Sequence, residues 1–219
     1  MARYTRPVYN IADVFAAAAA AYRINGEYLK TDDVTHHDDG EEYSFTVNRV
    51  ANKTLVHQFL QGKFELRDED REMGEKVRLH CNGLSFKIIT GKTLSDFEQA
   101  MITIADKETT DSNYDIAVVA SLPATYERAQ VRIQQDARLR EKSGILDNAV
   151  GTKVELDIEV VRCNYSNTWE TFYVTAIVDN AVVFFAFRNK IELGSKIRIK
   201  AKIKSHKEDR TQLSHVKIV

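Results

Sequence analysis

The sequence of 219 residues predicts an α+β protein in which a helical N-terminal domain precedes a small five-stranded antiparallel β-barrel. Apolar residues recur with a helical period over residues 1–142, and they alternate with polar residues over 152–219. The charge changes as well, because residues 151–219 hold 12 Lys and Arg against 8 Asp and Glu, whereas the preceding residues hold 19 against 24. We therefore expect two domains with different partners, joined by a linker over 143–151.

The composition is that of a globular protein, with 43% hydrophobic and 29% charged residues. The longest apolar run, 182–187, is far too short to span a bilayer, and the first residues do not form a signal peptide. Cys81 and Cys163 lie far apart and outside any zinc-binding spacing, so we expect no disulfide and no metal site. These features predict a cytoplasmic protein with no membrane partner and no cofactor.

The first helix is predicted to begin after Asn10, a favourable N-cap residue, and to end at Asn25-Gly26. It includes six consecutive alanines, Ala16–Ala21, and alanine is the best helix former. The polar segment TDDVTHHDDGEE follows at 31–42, and we interpret it as an acidic loop. It is not predicted as a metal site, because the adjacent His and Asp side chains at 36–39 cannot all face one ion.

Capping signals and apolar periodicity predict further helices up to residue 144. Asn52 is a candidate N-cap, Ser95 and Glu98 have the spacing of a capping box, and Pro123 is expected to end a helix. The predicted segments begin at 52, 68, 95, 114 and 124, and the second of them has a break near Asn82-Gly83. The last, 124–144, is highly charged with a thin apolar stripe, so it is either a solvated connector or a helix that lies on a partner.

Alternation of apolar and polar residues predicts the strands of the C-terminal domain. A two-residue Asp179-Asn180 turn indicates a hairpin, and a slip in phase at Ser214-His215 indicates a β-bulge. The predicted strands are 153–161, 170–178, 181–188, 196–204 and 211–219.

Five short, evenly spaced strands, of which the first is long, are typical of an OB-like barrel. OB-folds often place a helix between the third and fourth strands, and the segment NKIELG at 189–194 is too short for one. An SH3-like barrel or an open sheet therefore remain alternatives.

An OB-like barrel predicts a cleft across its second and third strands, between the loops 163–169 and 205–211. These loops carry aromatic rings for stacking on bases and cations for phosphates, which are the groups that a single-strand binder needs. The candidate nucleic-acid-binding residues are Tyr165, Asn167, Trp169, Tyr173, Arg188, Lys204, His206, Lys207 and Arg210.

Each of these signals has a purely structural alternative. Trp169 could belong to the core, and either Phe172 or Tyr173 must face inwards because the two side chains alternate. The lysines of KIRIKAKIK at 196–204 could be a solvated face or could protect a sheet edge. Glu208 and Asp209 would partly neutralise the cations beside them.

The C-terminal third resembles OB-like modules at the C-terminus of tailed-bacteriophage proteins. The resemblance lies in the NTW loop, in Gly194, in the Lys204 to His206 step and in the sequence Thr-Gln-Leu at 211–213. The lead-in segments SDFEQAM and ASLPATYER look like part of the same family, so the resemblance covers most of the chain. It implies binding of single-stranded DNA during replication and supplies no catalytic residues. The ending KIV departs from the acidic tail that many such binders use to recruit partners.

The sequence thus supports two functions. The first is an accessory protein of phage replication or recombination that binds single-stranded nucleic acid, DNA most simply, with little sequence preference, while the helical domain binds a replication or recombination enzyme. The second is a protein-interaction adaptor whose barrel is a scaffold; it predicts a buried Trp169. An enzyme is not expected, because nucleotide-binding, serine-hydrolase and zinc-protease motifs are lacking, and Asp106, Glu108 and Asp111 look like a helix end.

Overall fold

A computed structural model describes residues 6–38 and 43–219 of the chain. The chain divides into two compact units, Met1–Ala129 and Gln130–Val219. Within the described residues, no helix is both long enough and apolar enough to cross a membrane.

The first unit is mainly helical and contains two short β-ladders. Its helices are α1 (Ile11–Asn25), α2 (Asn52–Leu60), α3 (Asp68–Gly83), α4 (Phe86–Ile89), α5 (Asp96–Ala105), α6 (Asn113–Val119) and the first part of α7 (Leu122–Glu141). The antiparallel ladders join β1 (Tyr9–Asn10) to β4 (Thr109–Thr110) and β2 (Asp33–Asp38) to β3 (Tyr43–Arg49).

Helix α1 lies at the centre of this unit, and its six alanines are buried. The predicted ends are confirmed, since the Asn10 side chain accepts a hydrogen bond from the backbone N–H of Ala12 at 2.8 Å and Gly26 has a left-handed φ of 70°. Small side chains allow α3 to approach closely: a Cβ at Gly74 would lie 2.7 Å from the backbone nitrogen of Ala16.

Three predictions about the first unit need correction or refinement. Part of the predicted acidic loop 31–42 is a strand, because β2 pairs with β3 in a hairpin. β-branched and aromatic residues such as Val34 in β2 and Phe45 and Val47 in β3 favour strands, although acidic residues lie among them. Residues 39–42 of that segment lie outside the described residues. Asn52 is not an N-cap but the buried first residue of α2, where its side chain accepts the Leu29 N–H at 2.8 Å. Pro123 lies in the first turn of α7, where no backbone N–H is needed.

The second unit contains the end of α7 and a closed five-stranded barrel. Its strands are β5 (Lys153–Ser166), β6 (Thr171–Val178), β7 (Ala181–Phe187), β8 (Lys196–Lys207) and β9 (Arg210–Ile218). They follow one another around the barrel in the order β5-β6-β7-β9-β8, and β8 pairs again with β5. The predicted α+β class with a five-stranded barrel is therefore confirmed.

The prediction of a purely antiparallel barrel is wrong, because β7 and β9 are parallel. Val183 pairs with Thr211 and Phe184 with Gln212 in this ladder. The reason is one of parity: five strands in a closed ring cannot alternate in direction at every step, so at least one neighbouring pair must be parallel. The strand order and this single parallel pair fit the OB-fold.

Two strands are longer than predicted, which shortens the loops. β5 continues to Ser166 and β8 to Lys207, so the connections are the turns 167–170 and 208–209. The predicted bulge is confirmed, since Lys200 pairs with Lys217 and Lys202 with Ser214, which leaves one extra residue in β9. The segment 143–151 runs along the barrel, where the Val182 N–H donates to the Gly144 carbonyl at 3.0 Å and the Gly151 N–H to the Ile203 carbonyl at 2.8 Å.

We expect Gly74→Ala to destabilise the first unit by about 3 kcal/mol, because the new methyl group would meet backbone atoms of α1 that cannot move aside. Gly83→Ala is the matched control, because nothing lies within 4 Å of its Cβ position at the end of the same helix, and its effect should stay within about 1 kcal/mol. Chemical denaturation followed by circular dichroism measures both. Equal stability of the two variants would contradict the close contact between α1 and α3.

Candidate nucleic-acid interface

Two aromatic rings stack on the outer surface of the barrel. Tyr173 in β6 and Phe184 in β7 have ring centroids 5.6 Å apart and ring planes inclined by 12°. Their chain neighbours Val174 and Phe185 are fully buried in the barrel core. Because successive side chains of a strand point to opposite faces, Tyr173 and Phe184 point outwards.

Strand β9 brings cations to this stack. Its parallel pairing places Gln212 beside Phe184, and the guanidinium carbon of Arg210 lies 5.7 Å from the centre of the Phe184 ring. Lys207 lies directly opposite Arg210 in the β8–β9 ladder. Phe184, Lys207, Arg210 and Gln212 line a cavity of about 140 Å³. We call these four residues together with Tyr173 the aromatic–basic patch.

One carboxylate reduces the positive charge of the patch. The Asp209 side chain lies 3.5 Å from the Arg210 Nε, and both groups are exposed enough for water to screen the pair. Lys207 forms no ion pair with any residue in 6–38 or 43–219. The patch therefore presents one partly neutralised cation and one free cation beside its rings.

The turn between β5 and β6 carries the single tryptophan. Trp169 is 71% exposed, which excludes the alternative that it belongs to the core. Asn167 lies in the same turn and is exposed. Arg188 follows the end of β7 at this end of the barrel, because Phe172 near the start of β6 pairs with Phe187. This end of the β6–β7 pair thus carries a large flat ring, Trp169, and a cation, Arg188.

Three other candidate residues lie away from the patch. Tyr165 pairs with Phe172, its ring centroid 4.9 Å away, and both side chains lie on the face opposite to that of Tyr173. The exposed Lys204 lies on the outer face of β8. His206 points the other way, towards the buried Thr211.

His206 holds the start of the barrel in place. Its Nε2 lies 2.9 Å from the Asn148 carbonyl, which can only accept, so this nitrogen carries a proton and donates. Its Nδ1 lies 2.9 Å from the Thr211 hydroxyl, which also accepts the Leu146 N–H at 3.0 Å. In the neutral ring, Nδ1 accepts the hydroxyl proton, and every polar group of this cluster then has a partner.

The end of α7 covers the other half of the outer face of β6 and β7. Arg162 of β5 forms an ion pair with Asp136, and Arg138 donates to Glu159 at 2.7 Å. These guanidinium groups hold the pKa values of both carboxyl groups below their usual range. Val182 faces outwards but is 5% exposed, and it lines one cavity with Leu139 and Ser143. The aromatic–basic patch occupies the rest of this face: Lys207 is exposed, its other members are half-buried, and Arg210 also lines the cavity beside α7.

Phe184 and Gln212 are the members of the patch that are not among the candidate residues predicted from the sequence. Both faces of β7 are apolar, so alternation alone could not decide whether Phe184 or Phe185 points outwards. The place of Phe184 in the patch follows from the pairing of β7 with β9, the strand that begins with Arg210. This pairing is a tertiary contact, which alternation along one strand does not reveal.

The patch offers aromatic rings on which flat groups could stack and cations that would attract anions. No group of three or more His, Cys, Asp or Glu side chains in the described part of the chain is arranged to hold a metal ion. Burial raises the pKa of the Cys81 thiol to about 12, so it is not a nucleophile. Among known proteins, no family model matches this chain, and neither a curated protein nor a solved structure matches it.

We expect His206→Ala to lower the free energy of unfolding by about 1–3 kcal/mol, because it removes two hydrogen bonds around the buried Thr211. Lys204→Ala, two residues away and exposed, should change it by less than about 0.5 kcal/mol. Urea denaturation measures both variants. If His206→Ala is as stable as Lys204→Ala, His206 does not hold the barrel and is free for another role.

Proposed function

We propose that the second unit is an OB-like barrel that binds single-stranded nucleic acid, DNA most simply, with little sequence preference. The strand order, the long first strand with its register irregularity between Val160 and Arg162, and the single parallel pair support the OB assignment. In OB-folds the strand lies across the second and third strands of the barrel, which here are β6 and β7.

The observation that carries this proposal is the outward stack of Tyr173 and Phe184 beneath Arg210. Two aromatic side chains on the outside of a barrel contribute nothing to its core, whereas each base that stacks on such a ring gains about 1–3 kcal/mol. Every base has a π-face, so this mode of binding tolerates any sequence. Lys207 and Arg210 are placed to neutralise the phosphates between the stacked bases.

The exposed Trp169 extends the same chemistry to the β5–β6 turn. Together with Arg188 it offers a second stacking platform beyond the patch, so the strand would run along β6 and β7 from one platform to the other. The adaptor hypothesis predicts a buried tryptophan, and the exposure of Trp169 therefore favours nucleic acid over a barrel that is only a scaffold.

The adaptor remains the second candidate because of an observation in the first unit. Phe86, Ile88 and Ile89 of α4 are 68%, 59% and 79% exposed, and exposed apolar groups of this size are typical of protein-binding surfaces. The two functions are compatible: the barrel would hold the strand, and the first unit would bind a replication or recombination enzyme. The resemblance to tailed-phage proteins suggests that this happens in the cytoplasm of an infected cell.

Titration of fluorescent oligo-dT with the purified protein tests the nucleic-acid function. We expect binding that weakens with salt, with a log–log slope of about −0.7 for each phosphate contacted, and a change in the emission of Trp169. Tyr173→Ala should weaken binding by about 1–3 kcal/mol, because a base loses its stacking surface.

Tyr114→Ala is the control for this titration, since Tyr114 is 64% exposed on the first unit, outside the patch. It should bind as the unaltered protein does. No binding at about 50 mM salt, where phosphate contacts are strongest, would refute the nucleic-acid function and leave the adaptor.

Asp209→Asn is expected to tighten oligo-dT binding about two- to five-fold at low salt, because it removes the carboxylate beside Arg210. Asp179→Asn changes the net charge equally in another turn of the barrel, and asparagine tolerates the φ of 49° found there. A local effect requires that Asp209→Asn tighten binding more than Asp179→Asn does. Equal effects would mean that only the net charge matters and that Arg210 does not contact the strand.

A further inference from the structure

We propose that the bound strand leaves the aromatic–basic patch along a row of lysines on β8, and that its phosphates end in a basic concavity formed by β5, β8 and β9. This inference rests on the proposed function and extends the binding surface to a second side of the barrel. The ligand is the phosphate backbone of the same single strand.

The row consists of Lys200, Lys202 and Lys204, which are exposed on the outer face of β8. The residues that alternate with these lysines along β8 are buried in the core, namely Ile199, Ala201 and Ile203. Lys207 of the patch continues the row at the end of the same strand. The cations therefore lead from the concavity directly into the patch.

Protection of a sheet edge does not explain these lysines. At Lys200 and Lys202, strand β8 pairs with β5 on one side and with β9 on the other, so these two lysines do not lie at a free edge. Lysines that guard an edge prevent another strand from pairing there, and no such pairing is open at these two positions. A different reason is needed for the charge.

The register places lysines directly opposite one another in two ladders. Lys153 of β5 faces Lys202, and Lys217 of β9 faces Lys200. Directly opposed like charges destabilise a sheet, because their Cβ atoms are only about 5 Å apart. The folded barrel therefore holds a repulsion that an anion would relieve.

The other end of the β5–β8 ladder shows the opposite arrangement. There Asp157 faces Arg198, with 2.8 Å between the Asp157 Oδ1 and the Arg198 Nε, and Glu159 faces Lys196. The same two strands thus pair opposite charges at three positions, the third being Glu155 opposite Lys200, and like charges at Lys153 and Lys202. A merely solvated face gives no reason for this difference.

Little within the described residues neutralises the lysine-rich end. Glu155 lies 3.5 Å from Lys200, whereas Lys153, Lys202, Lys204 and Lys217 form no ion pair with any residue in 6–38 or 43–219. A concavity of about 630 Å³ opens here, lined by lysines, His215 of the β-bulge, Val154, Ala201 and Glu155. Ammonium groups around an open concavity suit phosphates, whereas stacking of bases belongs to the patch.

Oligonucleotides of two lengths distinguish binding at the patch from binding at the concavity. A strand of about 5 nucleotides covers little more than the patch, whereas one of about 20 nucleotides exceeds the range of site sizes of a single OB-fold and reaches the concavity. We expect Lys202→Gln/Lys217→Gln in the full chain to leave the affinity for the short oligo-dT unchanged. For the long one the affinity should fall, and the log–log salt slope should lose about 1.4, the share of two phosphate contacts.

The melting temperature of the double Gln variant provides a second readout. If these lysines had a structural role, their replacement would lower the melting temperature. Because the double substitution removes like-charge pairs, the melting temperature should stay equal or rise while binding of the long strand weakens. Lys202→Arg/Lys217→Arg keeps the charges and should retain binding of the long strand. Lys63→Gln/Lys76→Gln, at two exposed positions of the first unit, is the charge-matched control and should leave the salt slope unchanged.

The outcomes distinguish this path from the proposed function. If the unaltered protein binds both oligonucleotides, but the double Gln variant keeps the affinity and slope for the long one, the path is wrong and the patch stands. Equal losses for both lengths also overturn the path, because they would place these lysines at the patch or report net charge alone. If the unaltered protein binds neither length, or if Tyr173→Ala weakens neither, the proposed function itself fails.

Discussion

Closure of the barrel with an odd number of strands is the constraint on which the second unit depends. Five strands cannot alternate in direction around a ring, so one neighbouring pair must be parallel, and here it is β7 with β9. This pairing inserts β9 between β7 and β8. Arg210 and Gln212 thereby come beside Phe184, and the lysines of β8 come within one strand of the stacked rings. Closure also gives β8 a partner on each side at Lys200 and Lys202, so these two charges have no edge to protect.

Alternation of side chains along the strands then separates the buried core of the barrel from its outer surface. Val174 and Phe185 fill the interior, while Tyr173 and Phe184, their chain neighbours, stack outside. Helix α7 covers one part of that outer face through the ion pairs of Arg162 and Arg138 and leaves the other part open. An open aromatic surface beside cations and a covered apolar surface beside a helix are thus two halves of one sheet face.

Charge is distributed over the barrel in the same uneven manner. Opposite charges face each other around Asp157 and Arg198, and like charges face each other where Lys153 meets Lys202. A fold selected for stability alone would pair charges throughout, because opposed lysines weaken a ladder. Among the lysines at that end without an ion pair in the described part of the chain, Lys202 and Lys204 lie on β8, which leads into the patch, and Lys153 and Lys217 lie on the neighbouring strands β5 and β9. The proposed binding of a polyanion would account for this position of the cations.

The sequence by itself determined the class of each unit, the ends of the first helix and most strand positions. Local signals suffice for these features: Asn10 and Gly26 bound a helix of buried alanines, and alternation marks the five strands and the bulge near His215. The sequence also drew attention to Tyr173, Lys207 and Arg210, which the structure brings together.

Only the tertiary structure decided that Phe184 joins them, that His206 forms a hydrogen bond with the buried Thr211, that Trp169 is exposed and that two strands are parallel. These features depend on which strands become neighbours and which residues face each other across a ladder. Pairing between distant segments is set by closure of the whole barrel, and no single stretch of the chain encodes it.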